Sequence, residues 1–150
     1  MYIAGFGPLS YALKKEIIDN NLQTKVKLLG RVTSDELVEY YKACSVFVLP
    51  SISRAEAFGI VMIEAMSFSK PVVATNIENS GVNWVNEHNV TGLNVAIENE
   101  QELAEAILKI TCDPILNQKY SSNAYSKANT FFSIDIVAQQ IKNLYMKFQK

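Results

Sequence analysis

The alternation of short apolar or β-branched runs with longer helical patterns constrains this chain more than any other feature. "MYIAG", "VKLLG", "SVFVLP" and "PVVAT" read as strands; "PLSYALKKEIIDN", "SDELVEYYKAC" and a segment from about Phe58 to Ser67 read as helices between them. Strands separated by helices must be joined by crossovers, which makes them parallel and covers both faces of the sheet. The expected fold is α/β, a Rossmann-like parallel β-sheet sandwiched by α-helices with a helical C-terminus. A short helix near Val82 to Asn86 and a strand "GLNV" continue the rhythm, and from Asn99 the pattern is helical only, over about 99–112, 114–129 and 134–148. Some helix starts carry their own chemistry. Thr33-x-x-Glu36 and Asn99-x-x-Glu102 have capping-box spacing, and Asp113-Pro114 places a cap before a proline at the first helical position.

No linker, repeat or low-complexity tract interrupts the 150 residues, of which 49% are hydrophobic, so one domain with a real core is expected. Because the chain opens inside a strand at Met1, an N-terminal part is expected to be missing. A net charge of -1 without a basic face argues against nucleic acid as the main partner. The longest apolar stretches fall short of the roughly 20 residues that span a bilayer, and no signal peptide is evident, which predicts a cytoplasmic protein. Contact with the inner face of the membrane is left to the full-length protein. Cys44 and Cys112 lack C-x-x-C spacing and read as reduced, buried thiols, while His88 in "NEHNVTG" reads as an exposed loop residue. No Walker A, G-x-S-x-G, H-E-x-x-H or D-x-D sequence occurs, so neither a metal nor another cofactor is expected.

Two stretches could carry chemistry. "GFGPLS", Gly5 to Ser10, follows the first strand; its glycines permit either a plain tight turn or a close approach to a ligand at the carboxyl end of the sheet. It is not a dinucleotide fingerprint, since Ser10 stands at the third glycine position. The second stretch is "EAFGIVMIE", in which Glu64 is the only charged residue between Ala57 and Phe68. An ionised carboxylate without partners is costly to bury. Glu64 therefore lies on a solvated stripe, pairs with a structural group, or binds a polar ligand. If the stretch is helical throughout, Glu56 and Glu64 are separated by a rise of roughly 12 Å, too far for the paired carboxylates of a retaining glycosidase at about 5 Å. They could instead contact two ends of one extended ligand, with the free amides of a helix start near Phe58 and Gly59 suited to a diphosphate between them.

In order and spacing, "IAGFGPL", "VKLLGRVTSDELVEYYKACSVFVLPS", "EAFGIVMIEAMSFSKPVVAT" and "VTGLNV" resemble the C-terminal domain of family 4 retaining glycosyltransferases of the GT-B fold, over nearly the whole chain. The resemblance implies a donor-binding domain, one half of a GT-B fold, that holds a nucleoside diphosphate sugar while a separate N-terminal domain binds the acceptor. By position, Glu64 would accept hydrogen bonds from ribose hydroxyls. Glu56, the candidate catalytic residue, would lie near the donor sugar, and the Ala57, Phe58 and Gly59 backbone would meet sugar hydroxyls and phosphate. Gly30, Arg31 and Val32 match the stretch that reads the base, and Gly5 and Gly7 the glycines lining the same pocket. The family's basic pair precedes the first strand and is absent here, which leaves Arg54 and Lys70 as the nearest cations, although Lys70 reads rather as the turn residue before a strand. "Asn79-Ser80-Gly81" replaces the family's G-G-x-x-E, and Trp84 reads as core or cleft wall.

The resemblance thus implies transfer of a sugar, from a UDP sugar by preference, to a hydroxyl acceptor in bacterial surface polysaccharide or glycolipid synthesis. The isolated chain is expected to turn over little or nothing. The alternatives are a non-catalytic nucleotide-binding subunit or scaffold paired with a separate N-terminal chain, and a sugar-phosphate enzyme of the same architecture. The last helix carries Ile134, Val137, Ile141, Leu144, Tyr145 and Phe148 at helical spacing, and predicts self-association when it lacks a partner.

Overall fold

A computed structural model describes residues 1–148. The elements follow the predicted order: β1 (Tyr2–Ala4), α1 (Ser10–Asp19), β2 (Lys27–Gly30), α2 (Ser34–Ala43), β3 (Phe47–Leu49), α3 (Ile60–Ser67), β4 (Val72–Thr75), α4 (Val82–Val85), β5 (Gly92–Val95), α5 (Glu100–Cys112), α6 (Pro114–Phe131) and α7 (Ile134–Phe148). All strand pairing is parallel, as crossover connections require, but it forms two sheets, β1-β2 and β3-β4-β5. The chain divides into two compact units, Met1–Tyr40 and the residues from Tyr41 onward.

In the first unit, Ile3 pairs with Leu28 and Ala4 with Gly30, a shift in register that ends the ladder at the glycine. The Gly5 amide then donates to the Gly30 carbonyl at 2.8 Å. No residue of this unit is fully buried. Its second helix starts with a complete capping box: the Thr33 amide donates to Glu36 Oε2 at 2.8 Å and the Glu36 amide to Thr33 Oγ1 at 3.3 Å.

The second unit holds the core, on both faces of β4, whose four residues are all buried. Successive strand side chains point to opposite faces. Val72 and Ala74 pack with Met62, Met66, Ile77, Val82 and Val85 on one side, and Val73 packs with Leu93, Ala106, Ile110 and Tyr120 on the other. Ala124 and Ala128, one helical turn apart on α6, complete the first of these clusters. The turn before β5 is fixed by Asn86, fully buried, whose side-chain amide donates to Val72 O at 3.2 Å, Leu93 O at 3.1 Å and Asn94 Oδ1 at 2.7 Å. The caps of α5 and α6 form as expected, with Glu102 N donating to Asn99 Oδ1 and the Ile115 and Leu116 amides to Asp113 Oδ1, each at 3.0 Å. Glu102 departs from a full box, because its carboxylate accepts from the Ala96 amide at 2.9 Å instead.

Two expectations need correction. Helix α3 begins at Ile60, not Phe58, because Gly59 is left-handed at φ +75° and cannot belong to the helix. A Cβ there would also press on the Met62 methyl and on Leu49 Cδ2 at 3.1 Å, so a larger residue would be strained by its backbone and crowded by these side chains. Cys112 is exposed, on the outward side of the last turn of α5, and Cys44 is only half-buried, so the thiols are not both interior. Helix α7 buries none of its residues, leaving Ile134, Ile141, Leu144, Tyr145 and Phe148 half or more exposed. Among the described residues no helix is long and apolar enough to cross a membrane.

Candidate functional site

In an open parallel sheet, ligands bind at the carboxyl ends of the strands. In the second unit that end is formed by the loop from β3 to α3, which carries Arg54, Glu56, Ala57, Phe58 and Gly59, and by the loop from β4 to α4, which carries Ser80 and Gly81. The two loops are joined by hydrogen bonds. Ser80 Oγ donates to Glu56 O at 2.7 Å, the Gly81 amide donates to Ala57 O at 2.8 Å, and the Thr75 hydroxyl donates to Ser51 O. Gly81 sits at an ordinary φ of -72°, and its constraint is space, since a Cβ would lie 2.6 Å from the Phe58 ring and 3.1 Å from Ala57 O.

Glu56 and Glu64 prove structurally distinct. Glu56 precedes the helix, so an uninterrupted helical rise does not relate the two glutamates. Its Oε1 accepts the Gly59 amide at 2.8 Å, a side-chain cap on the turn that leads into α3. The Gly59 amide is therefore engaged rather than free for an anion. Glu64 lies on the exposed face of α3, which resolves its apparent burial: Met62, Ala65 and Met66 face the core and Glu64 does not. It is also partnered. The Tyr41 hydroxyl donates to Glu64 Oε2 at 2.9 Å, while Oε1 has no hydrogen bond among the described residues.

Tyr41 is only 4% exposed and lies against Phe47 and Phe68, with ring centroids 5.7 Å and 5.8 Å away. Burial, reinforced by the hydrogen bond to and charge of Glu64, raises its phenol well above the ordinary tyrosine value, so it remains a donor at neutral pH. Lys70 donates to the Lys42 carbonyl at 2.8 Å and so ties the end of α2 to the turn before β4, its structural reading. Arg54 is exposed, with no hydrogen bond or ion pair among the described residues.

In the first unit, Gly5 takes φ +139° and Gly30 φ +69°, a backbone that other residues rarely adopt, whereas nothing within 4 Å of Gly7 demands a glycine there. Arg31 is exposed, its guanidinium 5.8 Å from the Phe6 ring, and Val32 is half-buried. Ser10 closes the turn, its hydroxyl donating to Gly7 O at 2.8 Å.

Trp84 is 53% exposed, so it is a wall and not core; its ring lies 5.7 Å from Phe58 and 5.0 Å from Phe132. It also lines an open groove of about 500 Å³ with Asn83, Glu87, Asn123, Lys127 and Phe131, in which none of the candidate ligand-binding residues takes part. His88 is exposed, as expected, but its Nδ1 accepts the Asn94 amide at 2.9 Å. The sequence reading missed Tyr41, and it named Ser80 only within the stretch that replaces the family's glycine motif, without its tie to the Glu56 carbonyl. The signal for Tyr41 was the hydrophobic pattern of α2, which marks a buried position but not the partner of its hydroxyl.

The model of the family "Glycosyl transferases group 1" matches residues 1–127, and the chain belongs to this family. The chain is 27% identical over 143 residues to an O-antigen chain mannosyltransferase C of Escherichia coli, covering 95% of this chain and 38% of that protein. It is 31% identical over 146 residues to an amylovoran biosynthesis glycosyltransferase of Erwinia amylovora, covering 95% and 35%. Among solved structures it resembles Anabaena HepE in complex with UDP-glucose, with a TM-score of 0.82, 30% identity, and coverage of 97% of this chain and 40% of that one. The fold is that of the C-terminal domain of GT-B glycosyltransferases, and the chain spans little more than a third of the length of these relatives.

Proposed function

We propose that this chain is the donor-binding domain of a retaining glycosyltransferase that moves a sugar from a nucleoside diphosphate sugar, a UDP sugar by preference, to a hydroxyl. The observation that carries this reading is Glu64: an exposed carboxylate in the second turn of α3, the helix that follows the candidate loop, with Oε1 unpaired among the described residues and Oε2 fixed by Tyr41. A carboxylate is an acceptor-only group with several lone-pair sites, the complement of a pair of ribose hydroxyls. The likeness to a protein crystallised with UDP-glucose supports the nucleotide class.

In this reading the loop carrying Ala57, Phe58 and Gly59 holds donor sugar and phosphate, with Glu56 beside the sugar and Arg54 the nearest cation. Charge on the departing diphosphate would be stabilised by Arg54 and by the remaining amides at the start of α3. In the first unit, Gly5, Gly7, Gly30, Arg31 and Val32 are assigned to the nucleotide. The acceptor would be bound by a separate N-terminal domain, so the 150-residue chain alone binds nucleotide and transfers little sugar. The names of the E. coli and Erwinia relatives support a role in bacterial surface polysaccharide or glycolipid synthesis; the place proposed for it is the cytoplasmic side of the membrane.

Calorimetric titration with UDP, GDP and ADP tests the reading. One of the three binds measurably and best, and Glu64→Gln weakens it; equal affinity of wild type and Glu64→Gln for the preferred nucleotide would remove the ribose assignment.

A further inference from the structure

We infer that Tyr41 is a positioning residue for nucleotide binding, holding the Glu64 carboxylate in the orientation that meets the ribose. The inference rests on the ribose reading of Glu64 but adds a residue which that reading does not require. The Tyr41 ring is fixed by Phe47 and Phe68, so its hydroxyl is a donor at a set point, 2.9 Å from Glu64 Oε2. A glutamate on an exposed helix face otherwise samples several rotamers and loses that freedom when it binds a ligand. Bonding to a buried phenol removes part of that freedom in advance, so less is lost on binding. The bond also holds itself in place, because a Glu64 turned away would leave the Tyr41 hydroxyl without its acceptor in a mostly buried position. Since each carboxylate oxygen has two acceptor sites, Oε2 can keep Tyr41 while Oε1 and its own second site face ribose hydroxyls.

Tyr41→Phe removes the hydroxyl and leaves the ring between its aromatic neighbours. The 150-residue chain, as wild type, Tyr41→Phe, Glu64→Gln and the double variant, is titrated with UDP and with 2′,3′-dideoxy-UDP. Wild type should prefer UDP; Tyr41→Phe should weaken UDP by about three- to tenfold, the range for ordering one long side chain on binding, and leave the dideoxy compound nearly unchanged. The double variant should be no worse than Glu64→Gln. A general loosening of the core would weaken both nucleotides alike, which would overturn the inference.

If wild type binds neither nucleotide or does not distinguish them, the ribose reading fails and the inference with it. If Glu64→Gln erases the preference while Tyr41→Phe keeps it in full, the ribose reading stands and the positioning role is refuted. Should Tyr41→Phe not fold, Glu64→Asp at its exposed site decides: it keeps the charge but draws the carboxylate back from Tyr41, and retention of the full UDP preference would overturn the inference.

Discussion

Replacing Gly81 by alanine tests whether the loop carrying Glu56, Ala57 and Phe58 is set by its neighbour after β4. At φ -72° alanine is conformationally permitted, so backbone strain plays no part. Its methyl would lie 2.6 Å from Phe58 Cδ2 and 3.1 Å from Ala57 O, and Phe58 must move by several tenths of an ångström or more. Overpacking of this kind costs about 2 kcal/mol, while alanine in place of glycine stabilises by about 0.7 kcal/mol through the unfolded chain, leaving roughly 1.3 kcal/mol of net destabilisation. For a chain of this size that lowers Tm by about 3–5 °C. The assay is thermal unfolding followed by fluorescence of Trp84, the only tryptophan, whose ring is 5.7 Å from Phe58. A cycle with Phe58→Ala isolates the cause, because without the ring most of the clash disappears and Gly81→Ala should become neutral or stabilising. If Gly81→Ala raises Tm in the wild-type background, or costs as much without the Phe58 ring as with it, the steric argument is wrong. Nucleotide affinity should fall along with stability, since the shifted ring carries the Ala57–Gly59 backbone with it.

Two further outcomes follow from the hydrogen bonds. Asn86→Ala strips the buried carbonyls of Val72 and Leu93 and the Thr91 hydroxyl, 2.9 Å from Asn86 Oδ1, of a partner; it should destabilise by about 3 kcal/mol or more in urea unfolding, and a loss below about 1 kcal/mol would contradict the network. Glu36 is held below its ordinary pKa by the Thr33 amide and then by the Thr33 hydroxyl. A depressed folded-state pKa contributes stability that is present above the unfolded value and lost as pH falls through the folded one. Glu36→Gln should therefore reduce stability at neutral pH and flatten its fall below the ordinary glutamate range, and parallel acid-unfolding curves for the two proteins would refute the capping account.

Much of the fold was legible because its signals are local. The βαβ rhythm, the Thr33, Asn99 and Asp113 caps and the bounds of "GLNV" depend on residues a few positions apart, and each appears where expected. The start of α3 was misread because apolar periodicity runs through Phe58 and Gly59, while a left-handed glycine ends it. Family order marked Glu64 and Glu56 as candidates, but nothing local told which group each would touch: one caps its own turn and the other takes a phenol 23 residues away in sequence.

By itself the sequence determined the parallel α/β class, the order of elements and the family, since helical and strand periodicities and short motifs are properties of contiguous residues. Only the tertiary structure decided that Glu64 stands on the exposed face of α3 with one oxygen bound, and that Ser80 and Gly81 grip the Glu56–Ala57 backbone. Those contacts join segments more than 20 residues apart. The packing of β3, β4 and the helices around them brings such segments together, and no local pattern encodes their distance.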